Sequence, residues 1–97
     1  MSQHAFIVAY DIADPKRLRE VAKTMVGHGE RVQLSVFYCV LTREQRELLL
    51  SHLTGIIHHA EDRVVLIDLG PADGLAQRRI RHIGRRLPPS SDDSFVF

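Results

Sequence analysis

The residue with the clearest chemical promise is Asp11. It follows the apolar run Ala5-Phe6-Ile7-Val8-Ala9-Tyr10, so a strand that ends there would aim its carboxylate at the surface from a rigid element. A hard cation such as Mg²⁺ takes oxygen ligands and keeps several waters, so few protein carboxylates are needed. One carboxylate is still thin, and a two-fold dimer that brings two copies of Asp11 together would supply the second. The plain alternative is that Asp11 caps the turn before a helix. Arg17 and Arg19 lie near the start of that helix, where the dipole disfavours cations. Their place there suits either a ligand or a solvated face. Arg31, Ser35 and Phe37 lie further on, in a strand-like stretch. Phe37 shares its parity with Ser35 and Cys39, and an exposed aromatic there would stack a base. Packing in a core or a dimer is the other use of such a side chain.

A second cluster is basic. Residues 78–86 hold five Arg and no acid, and eleven of the thirteen basic side chains in the protein are Arg. Arg presents a planar fork that grips phosphate oxygens in two places, so Arg78, Arg79 and Arg81 are candidate nucleic-acid contacts. A solvated face is the alternative. His58-His59 with Glu61-Asp62 has metal-ligand residue types without a metal-ligand spacing, and reads as a polar loop. Cys39 has no His at a diagnostic distance and reads as a small core residue. No phosphate loop, GxSxG or GxGxxG is present, which leaves nucleotide-hydrolysis and serine-hydrolase routes unsupported.

These residues need a scaffold, and 97 residues at 11.0 kDa make one domain. The expected unit is residues 1–87, followed by a flexible tail over 88–97 that is rich in Pro, Ser and Asp. The hydrophobic share is 44% and the charged share 26%, with a net charge of +1, an ordinary globular balance. No apolar run approaches the roughly 18 residues of a membrane span, and no basic segment precedes the first apolar stretch as in a signal peptide. The expectation is a cytoplasmic protein without a membrane partner. One cysteine excludes an internal disulfide and any cysteine-based zinc cage. A chain this small builds no deep enclosed site alone, so its chemistry is expected at an interface.

The pattern predicts two layers. Ala5 to Tyr10 reads as a strand buried on both faces. Asp14-Pro15 is an N-cap with Pro at the first helical position. Leu18, Val21, Ala22, Met25 and Val26 form an amphipathic stripe, with Gly27 and Gly29 as a left-handed stop. Arg31 to Leu41 reads as two short strands with a tight turn or bulge near Gln33-Leu34-Ser35, or as one bent strand. Thr42 to Gln45 is a capping box. It opens a helix to about Leu53, with Leu48, Leu49, Leu53, Ile56 and Ile57 inward. Asp62 to Leu69 contains another buried strand, Val64-Val65-Leu66-Ile67. In the basic segment, Ala76, Ile80, Ile83 and Leu87 fall at helical spacing, yet Arg79 to Ile83 also fits an edge strand. The order β-α-β-β-α-β predicts an α+β ferredoxin-like sandwich: a four-stranded antiparallel sheet with two helices on one face. The other face is left for polar residues, a ligand or a second copy.

Val8-Ala9-Tyr10-Asp11-Ile12, Asp14-Pro15-Lys16-Arg17 with Val21-Ala22, and Gly29-Glu30-Arg31-Val32-Gln33-Leu34-Ser35-Val36-Phe37 together resemble the CRISPR-associated protein two (Cas-two) family. The similarity runs over residues 5–84. It implies a ferredoxin-like homodimer acting in spacer acquisition beside the CRISPR integrase (Cas-one), with Mg²⁺-dependent endonuclease activity on RNA or DNA in several members. The family's metal-binding aspartate falls on Asp11, and its other site positions fall on Tyr10, Arg17, Arg19, Arg31, Ser35 and Phe37. In such dimers a last short strand adds to the partner's sheet, which favours a strand over Arg79 to Ile83. The dense arginines of 78–86 and the Pro-Pro-Ser-Ser stretch depart from the family pattern. A non-catalytic adaptor that holds DNA for the integrase is the competing expectation, and a small-ligand regulatory domain is a third.

Overall fold

Asp14 opens the first helix as the sequence predicts. Its carboxylate accepts the Arg17 N–H at 3.0 Å, and Pro15 takes the first helical position. The computed structural model describes residues 2–85, so the expected tail over 88–97 lies outside the described residues. The elements are β1 (His4–Asp11), α1 (Pro15–Val26), β2 (Glu30–Gln33), β3 (Val36–Leu41), α2 (Arg43–Ile56), β4 (Arg63–Pro71) and a single turn, α3 (Leu75–Arg78). The four strands form one antiparallel sheet in the order β2-β3-β1-β4. This is the ferredoxin-like sandwich, with β1 central between β3 and β4. The break between β2 and β3 is the tight turn at Leu34-Ser35, not one bent strand.

Phe6, Val8 and Tyr10 of β1 and Phe37, Cys39 and Leu41 of β3 face the helices. They close a core with Val21, Ala22 and Met25 of α1 and Leu49 and Leu53 of α2. Burial pushes the Cys39 thiol up to about 11, so it is an inert packing group. The capping box of α2 is complete: Thr42 Oγ1 accepts the Gln45 N–H at 3.1 Å and Gln45 Oε1 accepts the Thr42 N–H at 2.8 Å.

Several expectations change. Neither β1 nor β4 is buried on both faces. Along each, alternate residues meet α1 and α2 while Ile7, Ala9, Val65 and Ile67 turn to the opposite sheet face, where they stay partly exposed. Leu48, expected inward, is 71% exposed; its neighbour Leu49 takes the core position, since adjacent helical residues cannot share a face. α2 runs through Gly55 to Ile56. Gly27 is not a left-handed stop, having φ −76°. Gly29 is required for space, because a Cβ there would collide with the Tyr38 carbonyl oxygen and the Cys39 sulfur. The short C-terminal strand expected over Arg79 to Ile83 is not formed in the single chain. Leu75–Arg78 makes one helical turn anchored by buried Ala76, and residues 79–85 have no regular structure. A strand exists only as a hydrogen-bonded pair, and within one chain this segment has no strand beside it.

Candidate active site

Alternation along β1 decides where its last two residues point. Tyr10 turns to the helices and is buried, whereas Asp11 turns to the open sheet face and is exposed. Across the β1–β4 ladder Asp11 stands opposite Arg63. The Asp11 carboxylate has no hydrogen bond or ion pair among the described residues. It borders an apolar surface whose cross-strand rows are Tyr38–Ile7–Ile67 and Val36–Ala9–Val65.

Tyr10, Arg31, Ser35 and Phe37 do gather at this end of the sheet, yet beneath its surface. The Leu34 carbonyl accepts from the Tyr10 hydroxyl and from Arg31 Nη1, each at 3.3 Å. The Ser35 carbonyl accepts the Tyr10 N–H at 3.1 Å. The β2–β3 turn is thereby tied to β1 just before Asp11. Burial pushes the Tyr10 phenol up, partly offset by the charge of Arg31. Phe37 is fully buried, its ring 6.2 Å from that of Tyr10. The expectation of a base-stacking or reacting Phe37 is therefore corrected: its parity faces the helices, so it is core. Arg31 is half-buried across the Phe37 ring, and its Nη2 is buried without a hydrogen-bond partner among the described residues.

Arg17 is also not a free phosphate contact. Its Nε donates to Asp62 Oδ2 at 2.7 Å, and its Nη2 donates to Asp62 Oδ1 at 3.2 Å and Glu61 Oε1 at 3.1 Å. Asp62 further accepts the Ala13 N–H at 2.9 Å and the His58 N–H at 2.8 Å. These donors, the Arg17 guanidinium first, hold the Asp62 carboxyl well below the usual carboxylate range, and Asp62 in turn raises Arg17. Sequence reasoning placed Asp62 in a polar loop. Nothing local distinguishes it, because Arg17 is 45 residues away along the chain. Arg19 lies exposed on α1.

The basic segment lies apart. Arg79 Nη1 donates to the Leu69 carbonyl at 2.8 Å, near the end of β4 that pairs with His4 rather than with Asp11. Arg78 and Arg81 are exposed. A cavity of about 390 Å³ near the same end is lined by residues including His4, Arg43, Arg46 and Asp68. His4 Nδ1 there lies 2.9 Å from Asp68 Oδ1.

Among the described residues no group of three or more His, Cys, Asp or Glu side chains assembles into a metal cage. Asp11 by itself offers a single exposed carboxylate to a cation. An exposed carboxylate oxygen is the donor type that suits Mg²⁺, a small hard cation that dehydrates reluctantly and keeps several waters. No helix among the described residues is long and apolar enough to cross a membrane.

The family profile described as CRISPR associated protein Cas2 matches residues 4–73. The chain is 53% identical over 72 residues to the CRISPR-associated endoribonuclease Cas2 1 of Rhodospirillum rubrum, covering 74% of this chain and 71% of that one. It is 40% identical over 87 residues to the CRISPR-associated endoribonuclease Cas2 of Geobacter sulfurreducens, covering 90% of each. Among solved structures, Streptococcus pyogenes Cas2 superposes with a TM-score of 0.73 at 38% identity, covering 82% of this chain and 99% of that one. The sandwich is thus shared with a solved Cas2 structure, and the chain belongs to the CRISPR-associated Cas2 family.

Proposed function

We propose that this protein is an endonuclease of CRISPR adaptive immunity that hydrolyses phosphodiester bonds of RNA or DNA at the seam of a homodimer. The observation that carries the reading is the Asp11 carboxylate, without a partner among the described residues, at the border of a partly exposed apolar sheet face. Val65 and Ile67 leave 39% and 49% of their surface exposed there, and a second copy packed on the same face buries them. A two-fold axis through that face brings the two β1 ends toward one another, so each copy contributes one Asp11 to a shared site. The relatives' names support nuclease chemistry.

The two Asp11 carboxylates would hold Mg²⁺, which would supply charge stabilisation at the phosphate and a more acidic water. Asp11 orients that group from a strand end, where backbone pairing to Val64 and Arg63 on one side limits its motion. Tyr10 and Arg31 hold the Leu34 carbonyl, and with the Ser35–Tyr10 backbone bond they fix the turn flanking the site. Arg19, Arg78 and Arg81 are exposed side chains suited to the phosphate backbone. The wider role is spacer acquisition in the cytoplasm beside the CRISPR integrase.

The test is cleavage of labelled single-stranded RNA and double-stranded DNA, in Mg²⁺ or EDTA, by wild type and Asp11→Ala. Metal-dependent cutting that disappears in Asp11→Ala is expected. Duplex binding by both proteins without cutting by either sinks the nuclease reading and makes the dimer an adaptor.

A further inference from the structure

Because the Asp11 carboxylate has no side-chain partner among the described residues, the backbone alone anchors the point from which it projects: the β1–β4 pairing before it and the turn Ile12-Ala13-Asp14 after it. That turn is held at Ala13, whose N–H donates to Asp62 Oδ1 at 2.9 Å. Asp62 immediately precedes Arg63, the cross-strand partner of Asp11. One carboxylate therefore clamps the chain leaving Asp11 onto the start of the strand opposite it. The clamp is itself locked. Its side chain is 0% exposed, and each oxygen accepts twice: Oδ1 from Ala13 N–H and Arg17 Nη2, Oδ2 from His58 N–H and Arg17 Nε. A bidentate guanidinium fork fixes the carboxylate plane as a single amide donor cannot.

We propose that Asp62, locked by the Arg17 fork, is a positioning residue for Asp11, holding the main chain from which that carboxylate reaches the metal. The inference rests on the reading of Asp11 as the metal ligand. It also gives Arg17 a role through geometry rather than through contact with nucleic acid. Groups hydrogen-bonded to a ligand typically govern metal affinity or activity by roughly 10- to 100-fold; Asp62 acts one step further back, through the backbone at Ala13, so the low end of that range applies.

The experiment uses the full chain and Mn²⁺ as the probe, with water-proton relaxation reporting its binding to wild type, Asp11→Ala, Asp62→Asn and Arg17→Lys. Amide hydrogen exchange at Ala13 and steady-state cleavage are read alongside. Asp62→Asn and Arg17→Lys are expected to weaken Mn²⁺ binding about tenfold. They also speed exchange at Ala13 and lower kcat while leaving KM for the nucleic acid unchanged. Lysine keeps the charge of Arg17 but not its fork, so a loss in Arg17→Lys with unchanged KM separates positioning from phosphate contact. A purely structural Asp62 lowers the folded fraction and leaves the Mn²⁺ affinity of folded protein intact, which overturns the inference. If Asp62→Asn does not fold, Arg17→Lys decides alone, since it leaves Asp62 its two backbone donors. Wild-type Mn²⁺ affinity in Asp11→Ala overturns the metal reading itself, and this inference with it.

Discussion

Arg31 and Phe37 are cross-strand partners on β2 and β3, and the guanidinium carbon lies 4.9 Å from the centre of the ring. The pair shows how this end of the sheet is built. An aromatic floor is sealed within the core, a cation lies across it, and the cation reaches on to the Leu34 carbonyl beside the candidate site. Phe37 thus acts on the site through Arg31 and the β2–β3 turn. Phe37→Ala is expected to cost about 3–5 kcal/mol, the range for emptying a buried aromatic position, while cleavage per folded protein falls far less. Urea unfolding read beside activity corrected for folded fraction checks this. A catalytic Phe37 requires the opposite pattern: full stability with lost turnover.

Asp11→Ala is expected to abolish metal-dependent cleavage and to change stability by less than roughly 0.5 kcal/mol, as for an exposed side chain without partners. Thermal melts and size-exclusion elution matching wild type, with no product in Mg²⁺, are the confirming measurements. Retained cleavage moves the chemistry elsewhere.

The open sheet face makes its own prediction. Ile67→Asp places a charge in the middle of an apolar row, opposite Ile7, at no cost to the core on the other face. The variant is expected to sediment as a folded monomer and to lose cleavage, because each half-site then holds a single carboxylate. A dimer that survives Ile67→Asp places the interface on another surface.

Acid sensitivity follows from Asp62. Its folded carboxyl titrates well below the ordinary value of 3.8, chiefly because Arg17 bonds it and then because the His58 and Ala13 amides do. A depressed carboxylate contributes stability that is complete above the unfolded value and is lost as pH falls toward the folded one. Wild type is therefore expected to melt above Asp62→Asn at pH 7. The gap narrows steadily below about pH 4. Melts of both proteins between pH 7 and pH 2 measure it, and a gap independent of pH rules out the ionised clamp.

Cys39 is expected to resist alkylation. Burial pushes its thiol up to about 11, so at pH 8 iodoacetamide modifies it only on unfolding, and the labelling rate reports global opening.

Much of the scaffold is legible because its signals are local. The Asp14-Pro15 cap, the Leu18-to-Val26 stripe and the Thr42/Gln45 capping box each lie within a few residues, and each forms as expected. Asp11 at the end of β1 is legible for the same reason, since an apolar run that stops at a carboxylate is a short-range pattern. The single chain does not form the expected strand over Arg79 to Ile83, because pairing needs a neighbour that sequence adjacency does not supply.

The amino-acid sequence by itself determined the element order, the caps, the two-layer architecture and the carboxylate at the strand end. Periodicity and termination signals are properties of neighbouring residues. Tertiary structure alone decided which parity of β3 faces the helices, and so that Phe37 is core and Tyr38 is not. It alone paired Arg17 with Asp62 across 45 residues, turning a presumed phosphate contact into a clamp beside Asp11. A two-residue period labels two faces without saying which is covered, and partners distant in sequence meet only once the chain has folded.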